Sequence, residues 1–149
     1  MSDPVNRVFV DTNLLLYSVD ESEKAKHVKS REWLDALWTT DSGRVSWQVL
    51  NEFYANATRK LKLPSVRARE NVETFAMWRP VGFGLGLLHR AWYWGDKAGI
   101  PYWDCLIVAS AETIGCRYLL SEDFQDGQKF GDVTVVNPFV SSPKEFGFE

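Results

Sequence analysis

Arg7-Val8-Phe9-Val10-Asp11-Thr12-Asn13 is the stretch on which the fold turns. β-Branched and aromatic side chains are stiff in the extended conformation and pack well on a pleated surface, so Arg7 to Val10 reads as a short buried strand. The apolar run stops at an acid, and the carboxyl end of the strand opens into a helix. Asp11 then sits at the strand tip, either as the cap of that helix or as a ligand in the crevice beyond the sheet.

The same strand-to-helix step recurs along the chain. A helix is expected from Glu23 to Leu37, with Val28, Trp33, Leu34 and Leu37 as its apolar stripe and Lys24, Lys26, Lys29 and Arg31 outside. The turn Asp41-Ser42-Gly43 leads into a strand at Arg44-Val45-Ser46 and a helix from Trp47 to Leu61, closed by Pro64. Further helices are expected over Val66 to Met77, from near Leu85, and over Tyr102 to Thr113. Pro80 to Phe83 reads as a short strand, its boundary blurred by Gly82, Gly84 and Gly86. Arg117 to Leu120 is another apolar segment ending in polar residues, Ser121-Glu122-Asp123. Val133 to Val136 is the last strand, and the tail after Pro138 reads as a loose extension. Strands alternating with helices imply right-handed crossovers and a mostly parallel sheet, with ligands bound beyond the carboxyl ends of its strands.

Length and composition bound the rest. With 149 residues, 45% of them apolar, the chain is the size of one compact domain, so residues 1–149 are read as a single unit. Charged residues interrupt every apolar run before it could span a bilayer, which predicts a soluble protein. Met1-Ser2-Asp3-Pro4 lacks the basic and apolar character of a secretion signal, which places the protein in the cytoplasm. Cys105 and Cys116 read as lying on one helix, separated by roughly 16 Å, too far for a disulfide. The net charge of −3 weighs against nucleic-acid binding, which rests on neutralising phosphates.

Four acids stand out from the remainder. Asp11 ends the first strand. Glu52 lies in Val49-Leu50-Asn51-Glu52-Phe53-Tyr54, with Gln48 and Asn56 a helical turn to either side, a pattern that alone reads as a solvated helix face. Asp104 falls in the first turn of the apolar helix Tyr102-Trp103-Asp104-Cys105-Leu106-Ile107-Val108, where an acid also offsets the helix dipole. Asp123 follows the third apolar run, with Ser121 as a hydroxyl partner and Glu122 as a competing ligand. Converging carboxylates suit hard divalent cations such as Mg²⁺ or Mn²⁺.

Taken together, Val10-Asp11-Thr12-Asn13, Ser46-Trp47-Gln48-Val49-Leu50-Asn51-Glu52-Phe53, Trp103-Asp104-Cys105-Leu106-Ile107-Val108-Ala109 and Leu120-Ser121-Glu122-Asp123-Phe124 resemble the motifs of the PIN-domain ribonucleases. Within that family the chain looks like the VapC-like toxins of type II toxin–antitoxin pairs, from about Val8 to Phe139. The resemblance implies an α/β fold, a PIN-like three-layer α/β/α sandwich around a five-stranded, mostly parallel sheet. It also implies that Asp11, Glu52, Asp104 and Asp123 bind Mg²⁺ or Mn²⁺, supported by Thr12, Asn13 and Ser121. An RNA substrate, a cognate antitoxin protein and a homodimer follow from the same resemblance. The glycine-rich segment from Gly82 to Gly86 and the aromatic Trp92-Tyr93-Trp94 depart from the family pattern.

The corresponding chemistry is metal-assisted hydrolysis of a phosphodiester, in which a cation lowers the pKa of the attacking water. The acids that would bind the cation also account for part of the negative charge. Neither histidine suits acid–base attack by a 2′-hydroxyl: His27 lies among surface lysines, and His89 is far from the acid motifs. Two basic runs are candidate phosphate contacts: Lys24, Lys26, Lys29 and Arg31, and Arg59, Lys60, Lys62, Arg67 and Arg69. Aromatic residues could stack unpaired bases, and the family resemblance offers Trp33, Trp38, Trp78, Trp92 and Trp94 as a groove for an antitoxin peptide or a second copy. A haloacid-dehalogenase-type phosphatase would need an aspartate where Asn13 stands, and a phospho-receiver domain lacks its paired acids and lysine. A non-catalytic α/β protein-binding module is the alternative.

Overall fold

The computed structural model describes residues 6–148. Met1-Ser2-Asp3-Pro4, on which the absence of a secretion signal was argued, lies outside them. The chain builds one five-stranded sheet in the order β2-β1-β3-β5-β4 from β1 (Val8–Val10), β2 (Gly43–Arg44), β3 (Tyr118–Leu120), β4 (Lys129–Phe130) and β5 (Val133–Val136). The first four strands in that order, β2, β1, β3 and β5, run parallel; β4 is antiparallel to β5. Among the described residues six α-helices accompany the sheet: α1 (Thr12–Tyr17), α2 (Lys24–Thr39), α3 (Trp47–Arg59), α4 (Ser65–Phe75), α5 (Leu85–Ala98) and α6 (Tyr102–Thr113).

Val8, Phe9 and Val10 are all buried, because helices cover both faces of a parallel sheet and leave no wet side for alternation. β1 pairs Val10 with Leu120, which brings the residues after both strand ends side by side. α3 presents Val49, Leu50, Phe53 and Ala57 to the core and is started by Ser46, whose hydroxyl accepts from the Val49 N–H at 3.2 Å. α6 is buried from Cys105 through Ala111. Cys116 is also buried, but beyond the end of α6 rather than on it. Burial pushes its thiol up to about 12 and keeps it protonated. No helix among the described residues is long and apolar enough to cross a membrane.

Most expected elements are present with edges moved by a residue or two, and the differences have physical causes. Val28 is 62% exposed, and α2 buries Ser30, Trp33, Leu34 and Leu37 instead. The fourth helix stops at Phe75 and tightens into a 3₁₀ turn, Ala76–Trp78, that ends on Arg79 in the left-handed region. The segment from Pro80 to Phe83 is no strand. Only Val81 pairs, in a single bridge to Ser46, since proline lacks a donor and the glycines weaken pairing. Within β2, Gly43 is required by close approach: a Cβ there would meet the Trp78 ring at 2.4 Å.

The tail after Pro138 is not loose. Trp33 Nε1 donates to the carbonyls of Pro138 and Ser141 at 3.0 and 3.1 Å. A 3₁₀ helix, Pro143–Phe146, carries a capping box and sets Phe146 against Trp33 and Tyr118. Phe148 is 4% exposed and packs edge-on to Tyr118. Phe148→Ala is therefore expected to cost about 3 kcal/mol in urea unfolding, as for a core phenylalanine. A cost under about 0.5 kcal/mol, typical of a surface site, would show that the tail is peripheral.

Candidate active site

Asp11, Glu52, Asp104 and Asp123 line one depression of about 130 Å³, together with Thr12, Asn13, Gln48, Asn56 and Trp103. Each acid is carried by a different segment. Asp11 caps α1 at the tip of β1, Glu52 projects from the middle of α3, Asp104 from the first turn of α6, and Asp123 follows β3. Larger depressions exist, such as one of about 520 Å³ beside Pro143 and Phe148, but they lack such a convergence of carboxylates.

Asp11 is the most constrained of the four. It is 7% exposed; its Oδ1 accepts from the Thr12 N–H and its Oδ2 from the Ser121 hydroxyl, each at 2.7 Å. Loss of water raises its pKa to about 6, and the neighbouring charges of Asp123 and Asp104 push the same way; the bonds from Ser121 and Thr12 only partly oppose this. Ser121 also accepts from the Asp123 N–H at 3.1 Å, so one hydroxyl ties two of the acids together. Capping and site-building are thus compatible roles for the same aspartate.

Asp104 and Asp123 are also raised above the ordinary carboxylate range, each first by burial. Asp123 adds to the shift at Asp104, and Glu122 to that at Asp123. Asn13 Nδ2 donates to Asp123 Oδ2 at 2.9 Å, and Thr12 Oγ1 donates to Glu52 Oε1 at 3.2 Å. The supporting residues named from the resemblance therefore each hold an acid. Glu122 is engaged elsewhere, accepting from Tyr17 Oη and Lys26 Nζ, both at 2.8 Å. That pairing also removes Lys26 from the first basic run as a free phosphate contact, while in the second Arg69 Nε donates to Tyr54 Oη at 3.3 Å. His27 Nδ1 lies 2.9 Å from the Tyr17 carbonyl and His89 stands edge-on to Trp92; neither lines the depression.

The donor set suits a hard divalent cation: carboxylate oxygens, all three aspartates raised first by burial and two of them, Asp11 and Asp104, further by the charge of Asp123, with hydroxyl and amide support. Among the described residues no three side chains of His, Cys, Asp or Glu close a ligand cage by themselves. A cation here would keep water in its shell, which is the habit of Mg²⁺.

The tryptophans are distributed differently from the expectation. Trp33, Trp78 and Trp94 are buried, Trp38 is partly buried, and of that group Trp92 is exposed. Trp47 and Trp103, 46% and 61% exposed, flank the acids instead. Their signal was in the sequence: each opens a helix within the first turn, immediately beside the acid-bearing motifs.

An α/β sheet with one acid-lined depression beyond the carboxyl ends of its central strands is the class this geometry defines. The chain belongs to the PIN domain family, whose description matches residues 8–126. Among solved structures it is similar to Mycobacterium tuberculosis VapC20, a Sarcin-Ricin loop cleaving toxin, at 21% identity and a TM-score of 0.56 over 85% of this chain and 98% of that one. No curated protein sequence matches.

The raised pKa of Asp11 has a thermodynamic sign. Its bound proton stabilises the fold fully below the ordinary value of 3.8, and that contribution is lost as pH rises through about 6. In EDTA at pH 7.5, Asp11→Asn is expected to be more stable than wild type by about 3 kcal/mol, the gap closing as pH falls from about 6 to 3.8. Adding Mg²⁺ or Mn²⁺ should raise the melting temperature of wild type and leave the variant unmoved. A destabilised variant, or one that responds equally to the cation, would contradict a carboxylate held against its own desolvation.

Proposed function

We propose that this chain is a metal-dependent endoribonuclease, the toxin of a toxin–antitoxin pair, hydrolysing RNA phosphodiester bonds at the four-acid depression. The observation that carries this reading is the convergence of Asp11, Glu52, Asp104 and Asp123, from four separate segments, on one depression. Membership of the PIN domain family and the likeness in fold to an RNA-cleaving toxin support it. The same reading takes the chain as one catalytic domain in the cytoplasm, with a cognate antitoxin protein and a second copy as partners.

Asp11, Glu52, Asp104 and Asp123 are the residues that would hold Mg²⁺ or Mn²⁺, which when bound supplies Lewis-acid polarisation of the phosphate and acidifies water. Ser121 and Thr12 fix the Asp11 carboxylate through both oxygens, so it enters the reaction without reorganising. Thr12 and Gln48 orient Glu52, and Asn13 orients Asp123. Among the described residues none donates a hydrogen bond to the Asp104 side chain, whose raised pKa equips its carboxylate to take the proton of the attacking water. The water oxygen then bonds to phosphorus as one P–O ester bond breaks, the departing oxygen takes up a proton from solvent, and no enzyme-bound covalent intermediate forms.

The test is cleavage of mixed cellular RNA by the partner-free protein with Mg²⁺, Mn²⁺ or EDTA. Metal-dependent cleavage is expected, with Asp11→Asn and Asp104→Asn each losing about 10²- to 10⁴-fold while staying folded. Glu122→Gln should retain activity within a few-fold, because Glu122 is bound to Tyr17 and Lys26 outside the depression. If no metal supports cleavage, or the aspartate variants cut as well as wild type, the acids are not a nuclease site.

A further inference from the structure

An apolar groove of about 560 Å³ opens beside the acids, lined by Trp47, Phe83 and Trp103 together with Gln48, Asn51 and Glu52. Gln48, Glu52 and Trp103 line both this groove and the acid depression, so the two are continuous. Three large aromatic side chains standing 46%, 60% and 61% exposed around one groove are costly in water. Their placement is held by the backbone: the Trp47 N–H donates to the Val81 carbonyl at 3.0 Å, and Ser46 bridges Val81, which pins the loop carrying Phe83 against the start of α3.

Gln48 supplies a second, independent observation. It is 9% exposed, and its Nε2 faces two acceptors, Glu52 Oε1 and the Trp103 carbonyl, each at 3.4 Å. Those acceptors fix which end of the amide is nitrogen, since the reverse orientation would set oxygen against oxygen. The remaining oxygen, Oε1, is buried with no hydrogen-bond partner among the described residues. A buried acceptor without a donor carries a desolvation penalty that a ligand N–H would relieve.

We infer that the Trp47–Phe83–Trp103 groove is a binding site for an unpaired nucleobase of the RNA, next to the phosphate held at the acids. The base stacks on the exposed aromatic faces, and a turn of the Gln48 side chain lets its Oε1 accept an edge N–H. Stacking on aromatic side chains is how proteins hold unstacked bases, and it demands a single-stranded or looped substrate, since a paired base has no free face to insert. The inference rests on the ribonuclease reading for its ligand but is tested by binding rather than by turnover.

The probe is a fluorescein-labelled twelve-nucleotide unstructured RNA of mixed sequence, with Mg²⁺ and the full chain carrying Asp104→Asn, followed by anisotropy. In that background Trp103→Ala and Phe83→Ala are expected to weaken binding about tenfold or more, within the range for one stacked base, while Trp92→Ala, on the exposed face of α5, has no effect. An otherwise identical strand with abasic central nucleotides should bind the parent as weakly as the intact strand binds Trp103→Ala, with little further loss when both changes are combined. Equal binding by parent and both aromatic variants, equal binding of the abasic strand, or no RNA binding by the parent overturns the inference. Wild-type cleavage of the same RNA, assayed in parallel, separates the two failures. Cleavage with aromatic-independent binding removes the base site alone; aromatic-dependent binding without cleavage removes the nuclease reading alone.

Discussion

The carboxylate of Asp11 is held almost out of water, against its own solvation and against the charges of Asp104 and Asp123. Such a group is tolerable only if its hydrogen bonds are supplied in advance, and two segments far apart in sequence supply them. The Thr12 N–H comes from the helix that continues β1, and the Ser121 hydroxyl from the residue after β3. Those donors meet because the pairing of β1 with β3 sets Val10 beside Leu120. A slip of one residue would turn every side chain to the opposite face and carry Ser121 away from Asp11. The register of two three-residue strands is therefore what the site is built on.

Around that pair, each supporting contact holds an acid in place. Thr12 and Gln48 orient Glu52, Asn13 orients Asp123, and Ser121 bridges Asp11 and the Asp123 backbone. Glu122 is drawn off by Lys26 and Tyr17, so the adjacent acids 122 and 123 point to different tasks. The pair Lys26–Glu122 is partly exposed and contributes little stability by itself. It links α2 to the residue before Asp123.

Much of this was legible in the chain. The strand β1, the helix Tyr102 to Thr113 and the strand Val133 to Val136 follow from local patterns strong enough to set their own limits, and the acids lie at the ends or first turns of such elements. What was not legible depends on neighbours distant in sequence. β4 is two residues long, too short to show alternation, and exists because β5 lies beside it. The tail is ordered by Trp33, more than a hundred residues earlier, and a polar run of Ser141-Ser142-Pro143-Lys144 gives no local hint of that. Indole periodicity could not say which tryptophans are covered. Trp33 and Trp103 both begin from helices, and only packing decides that one is sealed and the other open.

The sheet's two outermost strands, Gly43–Arg44 and Lys129–Phe130, have a consequence for how copies of this molecule or other proteins can attach to it. Each offers only two residues of ladder. Gly43 lies hard against the Trp78 indole, and Lys129 puts a charge on the other border. Short, charged or covered borders deny an incoming strand a template. Growth by continuing the sheet into a neighbour is disfavoured at both ends, which lowers the risk of runaway self-association.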